Sequence, residues 1–258
     1  MRLGEKYMNI SYFHAYYKTK ELLSYSFGDK QFIPTFASSD IEAYPYQIAA
    51  ARFAMRSPYL KGAILCDEGS LGKTYEAMLV ITQMWYEDRK NILIIVLTPL
   101  LKQWTNIIEN KFSIPFFSID NNGIFNECLQ DGNENPFLQE GIIITTYEFA
   151  QEKCNYIEGV KWDLTIFEEA HYLRRIYTTE NKGAKLIYNA VKESYKLLLT
   201  ATPMQNSIMD LYGLIYIIDE RALLDEKTFY HRYFKKTENY SELASRISKY
   251  CFRTIRPQ

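Results

Sequence analysis

Short apolar segments alternate with longer amphipathic segments along most of the chain. The apolar segments predict strands at residues 62–66, 92–97, 142–146, 164–167 and 196–200. Segment 92–97 is rich in β-branched residues and has no polar position, which is typical of a strand that is buried on both faces.

Between these strands the apolar residues recur at helical spacing. Predicted helices cover residues 45–57, 73–87, 101–111 and 209–218. In helix 73–87, Ala77, Val80, Ile81 and Met84 lie on one stripe, the pattern of a helix that packs through a single face. Strands that alternate with helices predict an α/β fold, in which helices cover both faces of a parallel sheet.

Two segments fall outside this alternation. Residues 8–26 are rich in aromatic and apolar side chains and predict a helix ahead of the core, followed by a connector at residues 33–40. Residues 120–136 are polar, with clusters of Asn and Gly, and predict a surface excursion.

Composition changes this picture little. The chain has 258 residues, of which 47% are hydrophobic and 24% charged, and a net charge of −1, so any contact with nucleic acid must come from a local basic stripe. No apolar segment approaches the length of a membrane span and no signal core is seen near Met1. The 4 cysteines are far apart and form no CxxC pair, which favours reduced thiols in a cytoplasmic protein. With only 3 scattered histidines, a histidine-based metal site is disfavoured.

The segment from Asp67 to Thr74 has the features of a phosphate-binding loop. Lys73 and Thr74 follow Gly72 directly, between a predicted strand and a predicted helix. Backbone N–H groups at a helix start bind phosphate, a lysine there neutralises it, and a hydroxyl can hold Mg²⁺. The full P-loop pattern would have glycine where this chain has Asp67. The alternative is an ordinary strand–turn–helix with a capping threonine.

Two further segments follow predicted strands. Glu168-Glu169-Ala170-His171 places two carboxylates at the end of a strand, where ligands of open α/β sheets gather and where a metal-bound water could be activated. The alternative is a solvated pair of glutamates. The third segment, from Leu199 to Asn206, ends another strand with hydroxyls and amides.

These three segments, in this order, resemble those of the SNF2 group of superfamily 2 helicase-like ATPases. The ending Gln205-Asn206 is close to a signature of that group. The resemblance implies one RecA-like lobe with a three-layer α/β fold and a mostly parallel sheet. It divides the chain into a helical extension at 1–40, the ATPase lobe at 41–250, and the start of a linker toward a second lobe at 251–258. A complete motor of this kind needs that second lobe for its arginine finger, so we expect a fragment or a naturally truncated protein.

The resemblance also implies a role for each matching residue. Nucleotide contacts are expected from Gln47, Gly69, Ser70, Leu71, Gly72, Lys73 and Thr74. Mg²⁺ would be held by Thr74 and Glu168, and Glu169 would activate the attacking water. Coupling to the DNA face is expected from His171, Thr200, Thr202, Gln205 and Asn206. Contacts to the nucleic-acid backbone are expected from Thr98, Pro99, Lys102, Gln103, Trp104, Thr145, Thr146 and Tyr147. For that last set plain strand-end chemistry is the alternative, and for Trp104 a place in the core.

The chain departs from the family pattern at two places in the site. In the phosphate loop, Gly69 stands one position early. If position 70 requires a positive φ, Ser70 stores strain of roughly 1–3 kcal/mol. Glu168 replaces the usual aspartate, which moves the carboxylate by about 1.5 Å. Since Mg²⁺ tolerates little deviation from octahedral geometry, Glu168 would impair hydrolysis more than binding.

Two hypotheses for the function remain open. The leading one is the ATP- and Mg²⁺-binding first lobe of a DNA-dependent ATPase that translocates on duplex DNA without regard to sequence, hydrolysing ATP only with its second lobe. The alternative, motivated by Ser70 and Glu168, is a degenerate lobe that binds nucleotide or a protein partner without hydrolysis. A P-loop kinase or GTPase is disfavoured by the third segment. The basic stretch 227–256 is by default a solvated helical face, or else a DNA-facing stripe or a hinge.

Overall fold

A computed structural model describes residues 43–56, 60–68, 71–132, 134–179, 181–234 and 239–254. The predicted helix at 8–26 and the connector at 33–40 lie outside these residues, as do Gly69 and Ser70. Within the described ranges, no helix is long and apolar enough to cross a membrane.

In the described part of the chain, a sheet of seven strands forms the centre. The strands are β1 (Gly62–Leu65), β2 (Ile92–Val96), β3 (Phe116–Ser118), β4 (Ile142–Thr146), β5 (Leu164–Phe167), β6 (Tyr195–Leu199) and β7 (Cys251–Phe252). Their order across the sheet is β3-β4-β2-β5-β6-β1-β7, and every pair is parallel. The predicted parallel sheet is therefore confirmed.

Helices cover both faces of the sheet. They are α1 (Pro45–Met55), α2 (Lys73–Tyr86), α3 (Thr98–Lys111), α4 (Asn122–Gln130), α5 (Tyr147–Glu152), α6 (Cys154–Glu158), α7 (Lys182–Ala190), α8 (Ile208–Ile218), α9 (Glu226–Phe229) and α10 (Tyr240–Ile247). Neighbouring strand residues belong to different cores: Ile64 packs with α7 and α8, whereas Leu65 packs with α1, α2 and α3. This alternation follows from the period of two in a strand and gives the three layers that were predicted.

Several of the described elements were not predicted from the sequence. Residues 120–136, predicted as a surface excursion, contain α4, whose Phe125 is 2% exposed. One buried aromatic side chain thus anchors an otherwise polar segment. Strand β3 and helix α7 were not anticipated, and β7 lies within the segment that was expected to begin a linker.

Candidate nucleotide-binding site

The three segments singled out in the sequence follow neighbouring strands. The phosphate loop follows β1, Glu168 and Glu169 follow β5, and the third segment follows β6, which lies between those two strands. Because all three strands are parallel, their carboxyl ends lie at the same edge of the sheet. The fold therefore brings the predicted site together.

The described part of the phosphate loop begins α2 with Lys73 and Thr74. Gly72 precedes the helix with φ of +83°, a left-handed conformation that favours glycine. A Cβ at this position would also lie 2.8 Å from the Gln47 Nε2 atom. The Lys73 Nζ donates to the Asp67 carbonyl oxygen at 2.9 Å, so the lysine folds back across the loop. Since Ser70 is not described, strain at that residue stays a prediction.

Helix α1 contacts the same loop through Gln47, which is 4% exposed. Its Nε2 donates to the Leu71 carbonyl oxygen at 3.0 Å, and its Oε1 accepts the Tyr44 N–H at 3.0 Å. The Tyr46 hydroxyl donates to the same Leu71 oxygen at 3.3 Å. Gln47 thus supports the loop directly, while its contact with a nucleotide base stays a prediction.

A cluster of buried charged groups lies behind the loop. The Asp67 carboxylate is fully buried and accepts two hydrogen bonds from Thr254, one from the backbone N–H at 2.6 Å and one from the hydroxyl at 2.5 Å. Glu76 of α2 is also fully buried, and neither of its carboxylate oxygens accepts a hydrogen bond from a described residue. Burial, and then the charge of Asp67, raise the pKa of Glu76 to about 9. Glu76 is therefore neutral at pH 7. The sequence did not indicate Glu76, because the burial of this residue arises only in the tertiary fold.

Glu168 and Glu169 differ in their surroundings. Glu168 is 6% exposed, and burial together with the charge of Glu169 raises its pKa to about 7, against the opposing effects of Lys73 and Trp104. Glu169 has φ of +49°, in the left-handed region, and its Oε2 lies 3.0 Å from the His171 Nδ1. A sizeable fraction of Glu168 is therefore neutral near pH 7.

The third segment is held by two side chains. The buried Thr200 hydroxyl accepts the Thr202 N–H at 3.2 Å. The Asp210 Oδ2 accepts the backbone N–H groups of Gln205 and Asn206 at 3.2 and 2.9 Å. The side chains of Thr202, Gln205 and Asn206 are exposed. Asp210 was not identified from the sequence, although Ser207 and Asp210 have the spacing of a helix-capping pair.

The residues expected to contact nucleic acid fall into two groups. Thr98, Pro99, Lys102 and Gln103 are exposed on the first turns of α3, directly after β2. Trp104 is only 1% exposed and packs in the core. This packing favours the core alternative for Trp104, and its contact with nucleic acid stays a prediction.

The residues on β4 and α5 that were expected to contact nucleic acid also have inward-facing side chains. Thr145 is fully buried, and its hydroxyl donates to the Ile119 carbonyl oxygen at 2.7 Å. Thr146 is 4% exposed and caps α5 by accepting the Phe149 N–H at 3.3 Å. Tyr147 is 8% exposed, and its hydroxyl donates to the Glu168 carbonyl oxygen at 2.8 Å. These side chains build the protein interior, which disfavours contact with nucleic acid through them, and a contact through the backbone at these strand ends stays a prediction.

The basic stretch near residue 240 is partly neutralised within the protein. Arg232 and Arg246 both pair with Glu242, at 2.7 and 3.0 Å. The Lys249 Nζ lies 5.3 Å from the centre of the Tyr250 ring. In the part that is described, this surface fits a solvated helical face with internal ion pairs.

Comparisons with known proteins agree with this geometry. The model of the SNF2-related domain family matches residues 46–258. The chain is 29% identical over 218 residues to the uncharacterized ATP-dependent helicase YqhH of Bacillus subtilis, covering 82% of this chain and 36% of that protein. It is 28% identical over 195 residues to the RNA polymerase-associated protein RapA of Actinobacillus pleuropneumoniae, covering 72% of this chain and 20% of RapA. The chain thus spans about a third and a fifth of these two relatives.

A solved structure shows the same fold. The SWI2/SNF2 ATPase core of Sulfolobus solfataricus, solved in complex with dsDNA, superimposes with a TM-score of 0.69 at 23% identity, covering 84% of this chain and 45% of that one. The described residues therefore have the RecA-like fold of such a core, as the resemblance implied.

Proposed function

The chain belongs to the SNF2-related domain family, and we propose that it is the ATP-binding first lobe of a DNA-dependent ATPase that moves along duplex DNA. One observation carries this proposal. Lys73 and the Glu168–Glu169 pair lie at the same edge of the sheet, where the charge of Lys73 lowers the pKa of Glu168 against the effect of burial. Opposite charges gathered at the ends of parallel strands suit a nucleotide phosphate with its metal.

The residues of this edge fit ATP with Mg²⁺. Thr74 and Glu168 are nearly buried, and the Glu168 Oε2 has no hydrogen-bond partner among the described residues. A buried oxygen without a donor is a suitable ligand for a hard cation or its bound water. Lys73 would neutralise the β- and γ-phosphates, and the first N–H groups of α2 would bind their oxygens. The metal, when bound, supplies positive charge that the transferred phosphoryl group needs.

Glu169 is the residue we assign to water activation. Its carboxylate is only partly buried, and its Oε2 lies 3.0 Å from the His171 Nδ1. Its left-handed backbone, with φ of +49°, costs about 1–3 kcal/mol for a residue with a Cβ, and such strain is concentrated at functional sites. Glu169 would accept the proton of the attacking water and leave Glu168 to hold the metal.

DNA and a second RecA-like lobe are the partners we propose. Thr98, Pro99, Lys102 and Gln103 present hydroxyl, amide and ammonium groups at the carboxyl edge, which suit phosphate contacts that do not read sequence. The arginine finger of the second lobe would complete hydrolysis, since such a residue is worth about 10³–10⁵ in rate. We expect the chain alone to turn over ATP barely. Its free cysteines support a cytoplasmic location.

A degenerate lobe without hydrolysis is the second candidate. It is favoured by Glu168, which is longer than the usual aspartate and whose raised pKa, about 7, leaves a large neutral fraction at neutral pH. A neutral carboxyl is a poor metal ligand. If this candidate is correct, the unaltered two-lobe protein will show no ATP turnover, and neither Glu168→Asp nor Ser70→Gly will restore any. Measurable turnover by the unaltered two-lobe protein would favour the motor.

Titration of the purified chain with a fluorescent ATP analogue, with and without Mg²⁺, tests the proposal. We expect Mg²⁺-dependent binding that Lys73→Ala weakens at least tenfold, because the variant loses the cation that faces the phosphates. Glu169→Gln should bind about as well as the unaltered chain. Lys182→Ala is the matched control, since Lys182 is an exposed lysine at the start of α7. Binding that ignores Mg²⁺, or that Lys73→Ala leaves unchanged, would contradict the proposal.

A further inference from the structure

Asp210 has more hydrogen bonds than a helix cap requires. Its Oδ2 accepts the N–H groups of Gln205, Asn206 and Ser207 at 3.2, 2.9 and 3.3 Å. A capping pair accounts only for the bond to Ser207, the N-cap residue of α8. The other two bonds fix the loop between β6 and α8, which holds the exposed Gln205 and Asn206.

Arg174 reaches the same oxygen from the segment that follows Glu168 and Glu169. Its Nη1 lies 3.7 Å from the Asp210 Oδ2, and that nitrogen has no hydrogen-bond partner in the described part of the chain. The two side chains are 20% and 8% exposed, so the pair is largely withdrawn from water. Burial alone would raise the pKa of Asp210, but the three N–H groups and Arg174 hold it below its usual range. Asp210 is thus charged at neutral pH.

The backbone at Arg174 is also fixed to α8. A Cβ on Gly213 would clash with the Arg174 carbonyl oxygen, so helix and turn approach as closely as glycine allows. Arg174 directly follows the 3-10 helix Ala170–Leu173, and Glu169 is the N-cap residue of that helix. A short rigid path therefore runs from the carboxylate turn to Arg174, then to Asp210 and the loop.

We propose that Arg174 and Asp210 are positioning residues that transmit a change at the Glu168–Glu169 turn to the loop of Gln205 and Asn206. This inference rests on the proposed function and deepens it, since it names the contact through which bound nucleotide alters the third segment. Neither side chain touches the nucleotide in this scheme. If Asp210 were only a helix cap, the charge of Arg174 would be irrelevant to the loop.

Amide hydrogen exchange of the full chain, with and without a non-hydrolysable ATP analogue and Mg²⁺, tests the pair. In the unaltered protein we expect bound nucleotide to change exchange at Gln205 and Asn206. Arg174→Met should bind the analogue within about twofold, yet lose most of that change. Without nucleotide its loop amides should exchange about 2–5 times faster, since a partly exposed ion pair contributes little by itself. Asp210→Asn keeps an acceptor oxygen but removes the charge that pairs with Arg174. It should lose the same exchange response to nucleotide.

Arg175→Met is the matched control, because Arg175 is the next residue and is exposed. It should keep the full response. The pair is refuted if Arg174→Met and Asp210→Asn respond as the unaltered chain does, or if Arg175→Met loses the response equally. Should Arg174→Met fail to fold, Asp210→Asn alone decides. Titration of the same samples with nucleotide separates the two proposals. If the chain binds no nucleotide, both the proposed function and the role of the Arg174–Asp210 pair are refuted. If it binds nucleotide and the variants keep the loop response of the unaltered chain, only the role of the pair is refuted.

Discussion

At the scale of single residues, the site is notable for the number of charges it buries. Asp67, Lys73, Glu76 and Glu168 are all at most 6% exposed. A buried charge is costly unless it is paired or neutralised, and two of these residues show how the cost is met. Asp67 accepts bonds from Thr254, and Glu76 becomes neutral.

Glu76→Gln should stabilise the protein. The pKa of Glu76 is raised to about 9 from the ordinary 4.5, so its contribution to stability is present below about pH 4.5 and is lost as the pH rises through 9. Glutamine has the same shape and no charge to lose. We expect the free energy of unfolding at pH 8 to be higher by about 1–3 kcal/mol, measured by urea denaturation between pH 5 and 9.

The pH profile distinguishes this cause from a general effect of removing a carboxylate. The difference between Glu76→Gln and the unaltered chain should grow with pH across that window. Glu109→Gln, on the exposed face of α3, should follow the unaltered chain throughout. A constant difference at all pH values would show that packing, and not protonation, accounts for the gain.

The sequence could predict a site residue where a short motif around that residue identifies it. Lys73, Thr74, Glu168 and Glu169 stand in short motifs whose strand and helix neighbours are also readable. For Trp104 the sequence left a nucleic-acid contact and a place in the core open, because its position directly after the motif does not show that its side chain points into the core. Such orientation depends on which helix face meets the sheet.

At the scale of secondary-structure elements, the contact between α8 and the turn at Arg174 sets the geometry of the site. Gly213→Ala should lower the free energy of unfolding by about 1–3 kcal/mol, because the added methyl group meets a backbone carbonyl that cannot rotate away. Gly183→Ala is the control, since a Cβ there meets only the end of the Gln151 side chain, which can move. Equal stability of the two variants would contradict the close approach.

Long apolar strands could be predicted, and short ones could not. Strands β2, β4 and β5 have buried residues at every position, so composition alone indicates them. Strand β7 has two residues and β3 has three, too few to show a period. Their pairing with β1 and β4 is decided by the neighbouring strand and not by their own sequence.

At the scale of the whole molecule, binding to duplex DNA should be weak, independent of sequence and strongly dependent on salt. The net charge is −1, so only local groups such as Lys102 can contact phosphates, and phosphate contacts release counterions. Titrations on duplexes of different sequence, at several salt concentrations, measure this. Lys102→Glu should weaken binding on every duplex and reduce the salt slope by about 1 or more.

Lys111→Glu, in the last turn of the same helix, is the matched control and should bind nearly as the unaltered chain does. It lies at the end of α3 that is remote from the carboxyl edge of the sheet. Discrimination between sequences, or affinity that does not change with salt, would contradict the prediction for this lobe.

The pairing of β7 with β1 has a consequence for folding. Strand β1 carries the phosphate loop, yet the N–H groups of Ile64 and Cys66 bond to Tyr250 and Phe252, each at 2.7 Å. Asp67 and Thr254 are 187 residues apart in sequence. Closing so long a loop is slow, and we expect the N-terminal part to wait for the C-terminal part during synthesis. The candidate nucleotide site would then be among the last parts of the described residues to be completed, so that a bound nucleotide would select chains whose sheet has fully assembled.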